Sequence, residues 1–170
     1  MIPEIKKILY ATDLSKNASY AYFYAVDMAR RYDARIVVLH SVEPVRVVSY
    51  AGHNVEAMMR EAQKEERERD LEEIKKGLQE FCGKMETLIG PECLGLASEI
   101  IVRLGHPVEE ILKAVDERQC DAIVLGTHAK GFLRQTFLGN VAASVLERTR
   151  KPIFVIPLPS EKDTIDWGDV

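Results

Sequence analysis

The stretch that decides the fold is DAIVLGTHAKGFLRQTFLGNVAASVLERTRKPIFVIP, residues 121–157. It holds two short apolar runs, Ala122–Leu125 near its start and Ile153–Ile156 near its end. Between them lie a segment with glycine and cationic residues and an amphipathic segment that opens at Gly139-Asn140. This order predicts strand, loop, helix and strand. A loop of this kind brings backbone N–H groups and the positive end of a helix together, which suits a phosphate.

The rest of the chain repeats the alternation of strand and helix. Continuous apolar runs at Ile8–Ala11 and Ile36–Leu39 predict strands buried on both faces, and Glu99–Arg103 predicts a further strand. Residues with helical periodicity separate these runs. The pattern predicts an α/β fold: a single open five-stranded parallel sheet, in the order 3-2-1-4-5, with helices on both faces.

The helices should present apolar stripes to this sheet. We expect Asp13 or Ser15 to cap the first helix, Gly126 to end the fourth strand, and Pro107 to take the first position of the third helix. A long helix over 55–88 fits packing on the sheet better than a coiled coil, because its 3–4 pattern is short. The expected buried positions are Ala18, Ala21, Tyr22, Ala25, Met28, Ala29 and Tyr32, then Leu71, Ile74, Leu78, Phe81, Met85 and Leu88, then Ile111, Leu112 and Val115, and finally Val141, Ala142, Val145 and Leu146.

Size and composition limit the functional classes. The 170 residues predict one domain over 1–158 and a polar tail over 159–170. A net charge of -4 gives no support for a nucleic-acid or membrane partner. No signal peptide or apolar run of membrane-spanning length is evident, and the three cysteines are too widely spaced for a C-x-x-C pair. We therefore expect a cytoplasmic protein with reduced thiols.

Two distant sequence signals should meet in one site. Ligands of open parallel sheets bind beyond the carboxyl ends of the strands, where the strand order reverses. The strands that end near Asp13 and Gly126 should flank that point. Each part also has a purely structural interpretation, since Gly126 could serve a tight turn and Asn140 could be a helix N-cap.

These residues resemble the ATP-binding signature of the universal stress protein family, which is G-x2-G-x9-G followed by Ser, Thr or Asn. The outer glycines match Gly126 and Gly139, and Asn140 follows at the expected place. The middle position holds Ala129, with a glycine displaced to Gly131. The resemblance extends over 5–157 and includes the strings KKILYATDLS and ARIVVLHSVEP.

The resemblance implies a fold like that of the adenine-nucleotide alpha-hydrolases, a Rossmann-like type, together with binding of ATP, AMP or ADP. It also implies a homodimer and a role in stress survival. Asp13 would contact the nucleotide, and the backbone near Ser41 and Val42 would contact adenine. The implied nucleotide-binding residues are Ala11, Thr12, Asp13, Ser41, Val42, Gly126, Thr127, His128, Ala129, Lys130, Gly131, Arg134, Gly139, Asn140 and Val141.

The cationic and substituted positions of the loop leave alternatives open. Lys130 and Arg134 could neutralise phosphate charge or remain solvated loop cations. If Ala129 takes a positive φ, the strain of about 1–2 kcal/mol weakens binding roughly ten-fold. A decayed site would leave a pure interaction module that uses the long helix and the 43–54 segment.

Catalysis has little support in the sequence. It contains neither a G-x-S-x-G elbow nor a G-x-x-x-x-G-K-[ST] loop. We expect a nucleotide-dependent sensor or adaptor with at most slow ATP hydrolysis; an enzyme that needs an outside partner is the weaker rival. No protein metal site is expected, and Mg²⁺ would arrive with the phosphates. The last strand, Ile153–Ile156, should lie at a sheet edge and pair with a second copy.

Overall fold

The computed structural model describes residues 2–15, 17–44, 53–128 and 139–159, with the backbone alone for 53–62 and His128. Strands and helices alternate along this part of the chain, with one 3-10 turn at Pro91–Cys93. The elements are β1 (Lys7–Ala11), α1 (Ala18–Tyr32), β2 (Arg35–Val42), α2 (His53–Ile89), β3 (Ala97–Leu104), α3 (Pro107–Glu117), β4 (Ala122–His128), α4 (Asn140–Arg148) and β5 (Ile153–Leu158).

The five strands form one parallel sheet in the order β3-β2-β1-β4-β5, which confirms the predicted topology. At its centre, Leu9 of β1 pairs with Val37 of β2 and with Ile123 of β4. All three side chains are buried, as the continuous apolar runs predict for strands covered on both faces.

Helices cover both faces of the sheet, as predicted. On one face, α1 and α2 pack around Tyr10, Tyr22 and Met85. On the other face, α3 and α4 pack around Leu9, Ile111 and Val145. The small residues of α1 are buried against the sheet, which lets the helix approach closely.

The predicted cap of α1 is wrong. The helix begins at Ala18 with Asn17 as its N-cap residue, and neither Asp13 nor Ser15 caps it. The Asp13 carboxylate instead accepts the Ser15 N–H at 2.9 Å in a local turn. Asn17 makes no side-chain cap bond, and its Nδ2 donates to the Pro159 carbonyl at 2.9 Å. Side-chain acceptors near a helix start therefore serve a turn here.

Three predicted core positions are also wrong. Tyr32, Leu88 and Leu146 are 45%, 62% and 53% exposed. Each lies within the last three residues of its helix. At the end of α2 it is Ile89, next to Leu88, that packs against the core. Val26 and Cys82 are buried although the predicted stripes left them out.

Other features agree with the sequence. Pro107 opens α3, with Glu109 and Glu110 in its first turn. The three cysteines are buried free thiols, and burial raises the pKa of Cys82 and Cys120 to about 11. Within the described ranges, no helix has the length and apolar character needed to cross a bilayer.

Candidate functional site

The carboxyl ends of β1, β2 and β4 meet at one edge of the sheet, because these strands are parallel neighbours. The strand order reverses between β1 and β4, so the predicted switch point lies here. This edge carries the described members of the predicted site: Ala11, Thr12, Asp13, Ser41, Val42, Gly126, Thr127, Gly139, Asn140 and Val141. The predictions for Ala129, Lys130, Gly131 and Arg134 fall outside the described residues, and only the backbone of His128 is described.

The turn after β1 presents Asp13 at this edge. The Thr12 N–H continues the sheet by donating to the Leu39 carbonyl at 2.9 Å. Two local bonds then shape the turn: Thr12 Oγ1 accepts the Leu14 N–H at 3.1 Å, and Asp13 Oδ1 accepts the Ser15 N–H at 2.9 Å. Leu14 takes a left-handed conformation with φ 58°. The Asp13 side chain is exposed and remains at the rim of the site.

The first glycine of the signature has a different role from the predicted one. β4 does not end at Gly126 but continues to His128, and Gly126 pairs with Ile156 inside the sheet. A Cβ at Gly126 would lie 3.0 Å from Leu158 Cδ1 and 3.1 Å from two further atoms of that side chain. Gly126 therefore lies where a side chain would crowd Leu158, and it marks neither a strand end nor a tight turn.

The last glycine of the signature opens α4. Gly139 is the N-cap residue, with φ −61° and ψ 155°, and Asn140 is the first helical residue. The interpretation of Asn140 as the cap is thus wrong. The Gly139 N–H donates to Thr127 Oγ1 at 3.1 Å, and Thr127 is 6% exposed. The Thr127 hydroxyl therefore ties the end of β4 to the start of α4 across the intervening loop.

The start of α4 lacks the anions that the start of α3 carries. Acidic residues occupy the first turn of α3, whereas α4 has neither an acidic residue in its first turn nor a side-chain cap bond. The first N–H groups of a helix have no acceptor within it, and they carry the positive end of the helix dipole. The N–H groups of Asn140, Val141 and Ala142 therefore form a donor set suited to an anion.

The end of β2 completes the edge. Ser41 and Val42 are half-buried, and the Val42 carbonyl accepts the Gly105 N–H at 2.9 Å from the β3–α3 turn. Sequence reasoning missed His40, whose Nδ1 lies 2.8 Å from the Thr12 carbonyl oxygen. The sequence could have indicated His40 as a site residue, because it lies at the end of a buried strand next to the predicted adenine contacts.

No metal centre is evident in the part of the chain that the structure describes, since no three His, Cys, Asp or Glu side chains converge there. The carboxylates with lowered pKa values lie elsewhere: hydrogen bonds from Arg148 and Arg103 lower the pKa of Glu109 and Glu117, respectively. These exposed ion pairs join helices and strands and have no place in the site.

A doubly wound parallel sheet of this strand order defines a Rossmann-like fold. Its switch point carries an acidic turn and a helix start without a side-chain cap bond. The model of the universal stress protein family matches residues 4–157. The chain belongs to the universal stress protein family.

Individual relatives agree with this assignment. Universal stress protein MJ0577 of Methanocaldococcus jannaschii is 28% identical over 165 residues, covering 89% of this chain and 94% of the relative. A universal stress protein of Thermus aquaticus is 30% identical over 155 residues, covering 89% and 98%. The solved structure of MJ0577 has a TM-score of 0.66 at 24% identity and covers 93% of this chain and 99% of its own, which shows the shared fold.

Proposed function

We propose that this protein binds an adenine nucleotide at the carboxyl edge of its sheet and acts as a nucleotide-dependent sensor or adaptor in the stress response. The observation that carries the proposal is the start of α4, where Gly139 is tied to Thr127 and the helix begins without an anion of its own. This donor set lies beside the turn that carries Asp13, at the point where strand order reverses.

The two parts of the edge suit the two parts of a nucleotide. The N–H groups of 140–142 suit the phosphates, with Mg²⁺ arriving on the phosphate oxygens. Asp13 and the backbone at Ser41–Val42 suit the adenosine. A universal stress protein of the same fold, 18% identical with a TM-score of 0.50 and covering 91% of this chain and 98% of its own, has been solved in complex with cAMP, itself an adenine nucleotide.

The proposed role is that of a sensor in the cytoplasm, which passes nucleotide occupancy to a protein partner. The edge supplies donors for phosphate, but within the described residues it offers no carboxylate pair or activated nucleophile for hydrolysis. We therefore propose at most slow ATP turnover. The second candidate is an interaction module of the same fold with a decayed site, since Ala129 stands where the signature has glycine.

Calorimetric titration with Mg-ATP tests the proposal, with three variants chosen to leave the fold intact. Asp13→Asn keeps an oxygen to accept the Ser15 N–H but removes the charge. Thr127→Val keeps the shape but removes the acceptor of the Gly139 N–H, and we expect about ten-fold weaker binding. Thr127→Ser should restore affinity because it restores the hydroxyl. An absence of heat from the wild-type protein at millimolar ATP would favour the interaction module.

The open edge of β5 supports a proposed homodimer. β5 is the last strand of the sheet, and Ile153–Ile156 are only partly buried. An apolar strand edge with unpaired backbone groups favours pairing with a second copy. Val155→Lys should give monomers in sedimentation, whereas Leu104→Lys at the end of the opposite edge strand should leave the dimer intact. A Val155→Lys protein that still sediments as a dimer would exclude this interface.

A further inference from the structure

The imidazole of His40, in β2, contacts the turn that follows β1. His40 Nδ1 lies 2.8 Å from the Thr12 carbonyl oxygen, and the bond is partly buried. His40 lies in β2, and Thr12 is the first residue after the neighbouring strand β1, so the bond forms where the chain leaves the sheet. It thus joins the end of β2 to the turn that carries Asp13.

This contact requires a proton on Nδ1 of the ring. A carbonyl oxygen only accepts hydrogen bonds, so His40 Nδ1 must carry the proton. The neutral ring is therefore the Nδ1–H tautomer, which is defined by the neighbouring bond. The same bond persists when the ring is charged, because both nitrogens then donate.

The bond also fixes how the Asp13 turn stands relative to the end of β2. The Thr12 hydroxyl and the Asp13 carboxylate accept the Leu14 and Ser15 N–H groups within the turn. The Thr12 N–H donates to the Leu39 carbonyl of β2. His40 supplies a link from β2 to the last carbonyl before Asp13, and Ser41 follows it directly in the chain. Together with the bond from the Thr12 N–H to the Leu39 carbonyl, this imidazole therefore sets the distance between the Asp13 turn and the end of β2.

We propose that His40 is a positioning residue of the nucleotide site, which holds the Asp13 turn at the spacing that an adenosine needs through its bond to Thr12. This inference rests on the proposed function. It assigns His40 no contact with the ligand. Pre-organisation of this kind raises affinity because the protein does not have to order the turn when the nucleotide binds.

A matched pair of variants tests the proposal. Asparagine places an amide N–H at the same number of bonds from the backbone as His40 Nδ1, and leucine has the same branched shape without a donor. We expect His40→Leu to weaken Mg-ATP binding about ten-fold and His40→Asn to remain within about three-fold of the wild-type protein. Equal losses in the two variants would overturn the proposal, because only one of them lacks the donor.

A second measurement separates this inference from the nucleotide proposal itself. The imidazole ¹⁵N resonances of the wild-type protein, recorded at a pH where the ring is neutral, should show a protonated Nδ1. Amide hydrogen exchange at Leu14 and Ser15 should be faster in His40→Leu than in His40→Asn. Failure of the wild-type protein to bind ATP would refute the nucleotide site, whereas an Nε2–H tautomer would overturn the role of His40 alone.

Discussion

The starts of β1 and β3, at the amino edge of the sheet, differ from the start of α4, at its carboxyl edge, in how their backbone N–H groups are satisfied. At the amino edge the chain supplies its own anions: Asp121 accepts the N–H groups of Lys6 and Lys7 at 2.8 and 2.9 Å. Glu86 likewise accepts two N–H groups around the start of β3, at 2.7 and 2.8 Å. At the carboxyl edge, α4 begins with neither an acidic residue in its first turn nor a side-chain cap.

The contrast separates backbone groups that stabilise the fold from backbone groups that are available to a ligand. A carboxylate that accepts backbone N–H groups stabilises the fold, and its bonds are complete without a ligand. A helix start without such an anion costs stability but is ready to bind one from solution. Variants at the amino edge should therefore change the free energy of unfolding, and variants at the carboxyl edge should chiefly change affinity.

The largest expected effect belongs to Glu86, which is 6% exposed. Glu86→Ala should lower the free energy of unfolding by about 3 kcal/mol, because it leaves the Gly95 and Ala97 N–H groups without their charged acceptor. The loss in Glu86→Gln should be smaller than that in Glu86→Ala, since glutamine keeps one acceptor oxygen. Urea denaturation at pH 7 measures the loss. A cost below about 1 kcal/mol for Glu86→Ala would contradict the claim that this carboxylate stabilises the fold through the two N–H groups.

Gly126 lies near the carboxyl edge, but its substitution should change the free energy of unfolding. Gly126→Ala should cost about 1–3 kcal/mol, because its methyl group would crowd the buried Leu158. The matched control is Gly77→Ala in α2, where a Cβ meets nothing within 4 Å and a gain of about 0.5–1 kcal/mol is expected.

A double-mutant cycle shows whether Leu158 is the cause of that cost. In a Leu158→Ala background, Gly126→Ala should lose most of its penalty, because the crowding atoms are gone. An undiminished penalty would mean that Gly126 acts through something other than this contact.

The smallest expected effect concerns Glu109, which pairs with Arg148 at 2.5 Å and joins α3 to α4. The Arg148 hydrogen bond lowers the pKa of Glu109, so its contribution to stability is present above the ordinary pKa and is lost as pH falls through the lowered one. Arg148→Gln should therefore lower Tm slightly at pH 7 and have no effect once Glu109 is protonated. The pair is exposed, so the difference should be small and should shrink with salt. A Tm difference that persists in strong acid would assign the effect to lost packing.

The sheet was predictable because each strand is a continuous apolar run between breaks that helices bridge. Parallel strands covered on both faces leave that signal even in a single sequence. Helix ends were harder to predict. After Met85 the 3–4 spacing allows either Leu88 or Ile89, and the structure packs Ile89 against the core and leaves Leu88 exposed.

The site was predictable as a location but not as a set of roles. The spacing of Gly126 and Gly139 pointed to the carboxyl edge of the sheet, yet the two glycines have different surroundings: Gly126 packs against Leu158, and Gly139 is the N-cap residue of α4. Leu158 lies 32 positions further along the chain than Gly126. The spacing of glycines in the sequence cannot predict such a contact. Thr127 and His40 act through backbone groups of other elements, so their roles became visible only with the fold. The roles of Ala129, Lys130 and Arg134 stay predictions.

The most direct test of the central claim is an NMR titration of the ¹⁵N-labelled protein with Mg-ATP, followed at the backbone amides of Asn140, Val141 and Ala142. Bound phosphate should shift these three resonances saturably, together with Asp13, while the amides of Lys6, Lys7 and Gly95 at the amino edge stay in place. If the α4 amides remained unchanged at millimolar ATP in a folded protein, the start of this helix would not be a phosphate site.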